Sequence, residues 1–133
     1  MARVTVVNDQ PDFLGVMREV LETLGHHCEA LPADSVDLDG IAATRPDLLI
    51  VDLRMDTGAL NDGWGLILAA RSHPELKDIP IIISTADHEF LRTRMEEIGA
   101  LADVHPLPKP FGVDDVEELI DRLVERNGIG GQA

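Results

Sequence analysis

Four apolar stretches of the sequence each end at residues whose side chains could take part in chemistry. Asn8 and Asp9 follow RVTVV, and Asp52 follows LLIV. Thr85 follows PIIIS, and Lys109 follows HPLP. A carboxylate is already ionised at neutral pH and can attack phosphorus without a separate base, while an ammonium and a hydroxyl can hold phosphoryl oxygens. If the fold brings these groups together, they indicate phosphoryl transfer to a carboxylate.

The two carboxylates also suit a metal ion. Asp9 and Asp52 supply hard oxygen ligands, which together with backbone carbonyls and waters match the preference of Mg²⁺. Lys109 adds a compact cation that can neutralise phosphoryl oxygens. The candidate catalytic residues are therefore Asp52, Thr85 and Lys109, and the candidate metal ligands are Asp9 and Asp52.

The spacing of apolar residues predicts five strand-then-helix units. Strand 48–51 is apolar without alternation, which is typical of a parallel strand buried on both faces. Parallel neighbours require crossover connections, so the units predict a parallel sheet with helices on both faces. Ligands bind such sheets outside the carboxyl ends of the strands, where the reactive residues lie. The other predicted strands are 3–7, 27–31, 80–84 and a short strand before Lys109.

The helices are predicted from apolar stripes at helical spacing. The first stripe ends at Gly25, which is expected to cap the helix, and the fourth leads to Gly99. The first carries Phe13, Val16, Met17, Val20, Leu21 and Leu24; the second and third helices cover 38–44 and 64–71; the fourth carries Leu91, Met95 and Ile98; the fifth runs from Val113 to Val124.

Composition narrows the functional classes. At 133 residues, 44% of them hydrophobic, the chain fits one globular domain. Eleven basic and 25 acidic side chains give a net charge of −14, which disfavours binding to nucleic acid or to an anionic membrane surface. The single cysteine, Cys28, cannot form an intramolecular disulfide, and no apolar stretch approaches the roughly 20 residues that cross a bilayer. A cytoplasmic protein is expected.

The stretches VVNDQP, RPDLLIVDLRM, IPIIISTAD and PLPKPF resemble the receiver domains of two-component response regulators. The resemblance extends to about Arg126. It implies a flavodoxin-like α/β fold, with a five-stranded parallel sheet in the order 2-1-3-4-5 and five helices. The receiver domain is expected over 1–126, and 127–133 as a flexible tail.

The resemblance also implies roles for the candidate residues. Asp52 would be phosphorylated, Asp9 would bind Mg²⁺ together with Asp52 and the backbone carbonyl of Arg54, and Thr85 and Lys109 would be the switch hydroxyl and the site lysine. The phosphoryl donor would be a sensor histidine kinase or a histidine phosphotransfer protein. The output would be a downstream protein contacting the last two helices. The chain would catalyse only its own phosphorylation and dephosphorylation, and would not be a metabolic enzyme.

Two positions depart from the family pattern. Asn8 stands where the first residue of the acidic pair is usual, so weakened Mg²⁺ binding is expected, with the Asn8 amide oxygen as a further candidate ligand. Pro106 stands where a switch aromatic is usual, so coupling is expected to use His105, Leu107 or movement of the fourth helix. Asp56, in a long loop after Asp52, is expected to be a solvated carboxylate.

Other polar groups are given structural interpretations. His26, His27 and Cys28 are adjacent, and neighbouring strand residues point to opposite faces, so they do not form a plausible metal site. Arg54 and Asp87 each lie two residues beyond a site residue, and we hypothesise that they pair across the mouth of the site and restrict hydrolytic water.

Two other functions remain open at this stage. A pseudo-receiver that binds a partner without phosphorylation is favoured by Asn8 and Pro106. A hydrolase of the aspartyl-phosphate class usually has a second aspartate two residues after its nucleophile, where this chain has Arg54.

Overall fold

A computed structural model describes residues 2–33, 37–52 and 63–128 of the chain. They form alternating strands and helices. The strands are β1 (Arg3–Asn8), β2 (His27–Pro32), β3 (Leu48–Val51), β4 (Ile81–Ile83) and β5 (Val104–Pro106). The helices are α1 (Pro11–Thr23), α2 (Leu38–Ala43), α3 (Gly63–Ala70), α4 (His88–Ala100) and α5 (Val113–Asn127).

The strands form one parallel sheet in the order β2-β1-β3-β4-β5, as predicted. Val7 of β1 pairs with Val51 of β3, which pairs in turn with Ile83 of β4. These residues therefore lie in one row across the sheet, close to the carboxyl ends of their strands. The residues that follow this row in the three strands therefore emerge at the same edge of the sheet.

The sheet is buried on both faces, which explains the unbroken apolar sequence of β3. Leu49 and Val51 belong to a core shared with α2, α3 and α4, while Leu48 and Ile50 belong to a second core shared with α1 and α5. All four side chains are at most 2% exposed. Fully burying such a side chain contributes roughly 1.5–3 kcal/mol, so β3 is firmly fixed at the centre of the sheet.

Two glycines lie near helix ends that were predicted from the sequence. Gly25 follows α1 with a φ of 92°, a conformation that glycine adopts without a steric penalty, and the predicted helix end is confirmed there. The fourth helix was expected to lead to Gly99, and α4 continues one residue further, to Ala100, and ends where Leu101 becomes extended.

Three apolar residues assigned to helix stripes are exposed instead. Met95 is 45% exposed, Val16 57% and Val113 51%. In α4 the buried contacts come from Leu91 and Ile98, one above the other, while Met95 is rotated away toward solvent. Val16 and Val113 border a groove between α1 and α5, which each helix faces with only part of its apolar surface.

The C-terminal helix passes the expected domain boundary by one residue. It ends at Asn127, and Gly128 caps it in the left-handed conformation with a φ of 62°. Residues 129–133 of the expected tail lie outside the described part of the chain. Within that part, no helix combines the length and the apolar character that crossing a bilayer requires.

Candidate functional site

The candidate residues leave the sheet at its carboxyl edge. Asp52 directly follows Val51, and Asp9 follows the last residue of β1 on the neighbouring strand. On the other side of β3, the backbone N–H of Ser84 donates to the Val51 carbonyl at 2.9 Å, which brings Thr85 to the same edge. The parallel register thus delivers a hydroxyl and two carboxylates from three adjacent strands.

Lys109 comes to this edge along β5. Its backbone N–H donates to the Thr85 carbonyl at 2.8 Å, which extends the pairing of β5 with β4. Its Nζ lies 3.3 Å from Oδ2 of Asp52. The peptide bond between Lys109 and Pro110 is cis. Residues 57 positions apart in sequence therefore form the ion pair that the site requires.

The ion pair is largely shielded from solvent. The Asp52 and Lys109 side chains are 12% and 20% exposed. Both line a cleft of about 270 Å³, together with Gln10, Thr85, Ala86 and Asp87. An exposed pair contributes little, but shielding from water strengthens the attraction between an ammonium and a carboxylate.

Thr85 is 1% exposed, and its hydroxyl is already oriented. Its Oγ1 accepts a hydrogen bond from the backbone N–H of Asp87 at 3.1 Å. Since that bond uses a lone pair, the hydroxyl proton remains to be donated to an oxygen atom in the cleft. Asp87 itself caps α4 by accepting from the Phe90 N–H at 2.9 Å. The hypothesised partner of Asp87, Arg54, lies outside the described residues.

Asn8 is buried beside the cleft, with 1% exposure. Its Oδ1 accepts from the backbone N–H of Gln10 at 2.9 Å, while its Nδ2 is buried without a hydrogen-bond partner among the described residues. The amide oxygen therefore already accepts a backbone hydrogen bond, and a cation bound to Asn8 would have to use the same oxygen atom. A carboxylate at position 8 would place an oxygen where Asn8 has an amide nitrogen.

The donor chemistry of the edge fits Mg²⁺. Asp9 and Asp52 are carboxylates, and Mg²⁺ in proteins is usually held by one or two carboxylates while it keeps several waters. The Arg54 carbonyl and Asp56 lie outside the described residues. No group of three or more His, Cys, Asp or Glu side chains within the described ranges is arranged to hold a metal. Any Mg²⁺ here would therefore depend on the two carboxylates, backbone oxygen and water.

The adjacent His26, His27 and Cys28 have separate structural roles at the opposite edge of the sheet. His26 Nδ1 accepts from the Ala2 N–H at 3.0 Å, and burial lowers the pKa of this imidazole. His27 Nε2 lies 2.7 Å from Oε2 of Glu29. Cys28 is fully buried, which raises the pKa of its thiol to about 11 and keeps it in the unreactive protonated form.

The region around Pro106 shows what stands in place of a switch aromatic. Pro106 pairs with Ile83, and Leu107 donates its N–H to the Ile83 carbonyl at 2.7 Å. The His105 ring lies 2.6 Å from an oxygen of Asp103. Of the three candidates for an alternative coupling route, His105 thus contacts a carboxylate and the backbone of Leu107 is bonded to β4.

Two residues of the site were not singled out in the sequence. Gln10 lines the cleft, and its position directly after Asn8 and Asp9 was the available signal. Phe13 was assigned only to the apolar stripe of α1, yet the centroid of its ring lies 4.0 Å from Nζ of Lys109. No sequence pattern predicts that contact, because it joins a helix to a loop nearly a hundred residues away.

The sheet order, together with a cleft lined by a strand-end carboxylate, a hydroxyl and a lysine, is the arrangement expected of a signalling receiver. A family model described as "Response regulator receiver domain" matches residues 4–121. The chain belongs to this family. The predicted resemblance and the flavodoxin-like fold are therefore both confirmed.

Relatives and a solved structure agree with this assignment. The DNA-binding transcriptional regulator NtrC of Klebsiella pneumoniae is 31% identical over 120 residues, 90% of this chain and 24% of NtrC. The response regulator MprA of Mycobacterium avium is 35% identical over 122 residues, 91% of this chain and 49% of MprA. The chain thus spans about a quarter of one relative and half of the other.

The fold is shared with the receiver domain of the sensor histidine kinase PA1611 from Pseudomonas aeruginosa. That structure superposes with a TM-score of 0.76 at 22% identity and covers 93% of this chain and 98% of its own. It holds a magnesium ion coordinated in its active-site cleft. At this level of identity the comparison establishes the fold, and the magnesium is a property of that protein.

Proposed function

We propose that this chain is a phosphoacceptor receiver domain in which Asp52 takes a phosphoryl group. The observation that carries the proposal is the shielded contact of 3.3 Å between Lys109 Nζ and Asp52 Oδ2, in a cleft also lined by Thr85. An ion pair with a purely structural role needs no open cleft beside it. Here a cation, a nucleophile and a hydroxyl donor all face a space that can admit a phosphoryl group.

The donor in this proposal is a phosphohistidine of a sensor histidine kinase or histidine phosphotransfer protein. A carboxylate oxygen of Asp52 attacks phosphorus while the bond from phosphorus to the imidazole nitrogen breaks, and that nitrogen keeps the electron pair. An acyl phosphate forms on Asp52. Loss of the phosphoryl group to water later restores the carboxylate, so the chain assists only its own modification.

The other residues of the cleft have separate roles in the proposed transfer. Lys109 offsets negative charge on the transferring oxygens, and the Thr85 hydroxyl donates to one oxygen of the product. Asp9 and Asp52 would hold Mg²⁺, with the Arg54 carbonyl and Asn8 as further candidate ligands. When bound, this ion would supply additional positive charge to the phosphoryl oxygens.

The output of the domain is proposed to be a contact with a protein through α4 and α5. The net charge of −14 supports a protein partner over direct contact of this domain with DNA. Receiver domains are signalling modules rather than metabolic enzymes. The proposal includes residues 1–126 as the receiver, and a cytoplasmic location, which the free, buried Cys28 fits.

The test is to incubate the protein with acetyl phosphate and Mg²⁺ and to record the intact mass. The parent should gain the mass of one phosphoryl group, and Asp52→Asn should gain none. Asp39→Asn, which removes an exposed carboxylate at the start of α2, is the matched control and should behave as the parent. A parent that gains nothing would contradict the proposal.

The second candidate is the pseudo-receiver, which the Asn8 amide favours. A site that never binds Mg²⁺ has no need of a carboxylate at position 8. Under this alternative the parent gains no mass at any Mg²⁺ concentration, and Asp52→Asn binds the protein partner as well as the parent does.

A further inference from the structure

The ammonium of Lys109 contacts two groups of opposite character. They are the Asp52 carboxylate, whose Oδ2 lies 3.3 Å from Nζ, and the face of the Phe13 ring, whose centroid lies 4.0 Å from Nζ. A cation within about 6 Å of a ring centroid is attracted by the negative face of the ring, more strongly where water is excluded. With the Lys109 side chain only 20% exposed, this attraction is poorly screened.

The backbone of Lys109 is held independently of its side chain. Its N–H donates to the Thr85 carbonyl, and its own carbonyl accepts a hydrogen bond from Nε2 of His88 at the start of α4. Only the flexible four-carbon stem is therefore free to move. The direction of that stem is therefore set by the groups that the ammonium contacts.

A ring is a suitable second contact for a lysine that must change partners. A second carboxylate would compete with the phosphoryl oxygens for the ammonium, and its pull would be directional. The attraction of the ring is weaker and tolerates small displacements, because it comes from a diffuse quadrupole. The ammonium can therefore shift from carboxylate to phosphoryl oxygen without losing contact with Phe13.

The position of Phe13 distinguishes it from an ordinary core residue. It is only partly buried, and it lines the groove of about 350 Å³ between α1 and α5 together with Val16, Phe111 and Val113. Lys109 lines both this apolar groove and the polar cleft. The ring thus contacts the ammonium where the apolar groove meets the polar cleft.

We propose that Phe13 is a positioning residue that keeps the Lys109 ammonium against the phosphoacceptor oxygen. This rests on the proposed function of Asp52. Without the ring, the stem of Lys109 samples positions in the groove and in solvent, and the fraction of molecules ready for transfer falls.

The kinetic test compares three variants with the parent by the rate of mass gain from acetyl phosphate. Phe13→Leu removes the quadrupole and should slow phosphorylation roughly three- to tenfold, the range expected for a partly desolvated contact of this kind. Phe13→Tyr keeps a ring face and should restore most of the parental rate. Phe111→Leu is the matched control, because Phe111 lines the same groove and, within the described residues, has no cation over its ring. It should remain near the parental rate.

A structural readout does not depend on phosphorylation. Protons held over a ring face shift upfield in NMR spectra, so the ε-methylene protons of Lys109 should be upfield in the parent and in Phe13→Tyr. In Phe13→Leu they should move to the position of an exposed lysine such as Lys77.

The outcomes separate the two proposals. A parent that gains no phosphoryl group contradicts the function of Asp52. A parent that is phosphorylated at the same rate as Phe13→Leu contradicts the positioning role alone. Equal slowing of Phe13→Leu, Phe13→Tyr and Phe111→Leu also contradicts it, since groove packing would then explain the effect.

Discussion

The amino and carboxyl edges of the sheet differ in how their buried polar atoms are hydrogen-bonded. At the amino edge they are paired: His26 accepts from Ala2, and the buried Thr5 hydroxyl contacts the Thr44 hydroxyl at 2.7 Å. At the carboxyl edge, Nδ2 of Asn8 and Oγ of Ser84 are buried without partners among the described residues. Within the described ranges, the carboxyl edge thus holds buried polar atoms that the protein does not pair, which agrees with the proposed function at that edge.

At the carboxyl edge, the two sides of the cleft also differ in charge and in hydrogen bonding. On the Lys109 side, the lysine and Thr85 are held by backbone hydrogen bonds. On the Asn8 side, a neutral amide stands where a second charge would favour a metal. Under the proposed function, the domain would therefore rely more on its own ammonium, and less on Mg²⁺, than a receiver with two adjacent acids.

The largest expected effect follows from removing that ammonium. Lys109→Met keeps the length of the stem but loses the charge beside Asp52, and phosphorylation by acetyl phosphate should slow on the order of a hundredfold. Lys77→Met, at an exposed lysine between α3 and β4, is the matched control and should leave the rate unchanged. If Lys109→Met kept the parental rate, the ammonium would have no part in transfer.

The metal side is tested by restoring the missing charge. Asn8→Asp should raise Mg²⁺ affinity roughly tenfold, since one more negative charge within about 5 Å of the ion is favourable even at the dielectric of water. Trp64 fluorescence during a Mg²⁺ titration gives the affinity. Unchanged affinity would show that Asn8 does not limit metal binding.

The same variant should behave differently without metal. A carboxylate buried near two others is unfavourable, so the free energy of unfolding of Asn8→Asp in EDTA should fall by about 1–3 kcal/mol. Urea unfolding measures this loss, and added Mg²⁺ should reverse it. A loss that persists at saturating Mg²⁺ would instead indicate damaged packing.

Two buried hydroxyls compare the edges directly. Ser84→Ala removes a hydroxyl at the carboxyl edge that has no partner within the described ranges, and it should leave the free energy of unfolding unchanged or raise it slightly. Thr5→Val removes a paired hydroxyl near the amino edge and should lower it by about 1 kcal/mol. Thr5 and Ser84 are both 1% exposed, so burial does not separate them. Equal losses in urea unfolding would remove the distinction between the edges.

The smallest effect concerns His26 at the amino edge. Burial lowers its folded-state pKa, so below the unfolded pKa of about 6.5 the unfolded chain binds more protons than the folded one. Stability should therefore decrease as pH falls from 7.5 to 5.5, by less than about 1 kcal/mol. His26→Gln should flatten this dependence. An unchanged slope would assign the pH dependence to other groups.

Much of the fold follows from local signals in the sequence. The bounds of β3 were predicted correctly because a short, unbroken apolar run ending in a charged residue fits few other structures. The placement of Asp52, Thr85 and Lys109 followed from strand ends and parallel order. In each case one stretch of chain carries the signal.

The features that were missed depend on contacts between distant segments. The exposure of Val16 and Val113 arises because α1 and α5 leave a groove between them, which neither helix reveals alone. The contact of Phe13 with Lys109 depends on the loop after β5. The pairing of the Asn8 oxygen with the Gln10 N–H is the exception, since it is a local contact within the turn after β1.

The central claim is tested most directly by locating the phosphoryl group. After reaction with acetyl phosphate and Mg²⁺, reduction of the acyl phosphate with borohydride converts the modified aspartate to homoserine, which peptide mass spectrometry then places. The account predicts homoserine at position 52 alone. Homoserine at Asp9 or Asp87, or at no position, would contradict it.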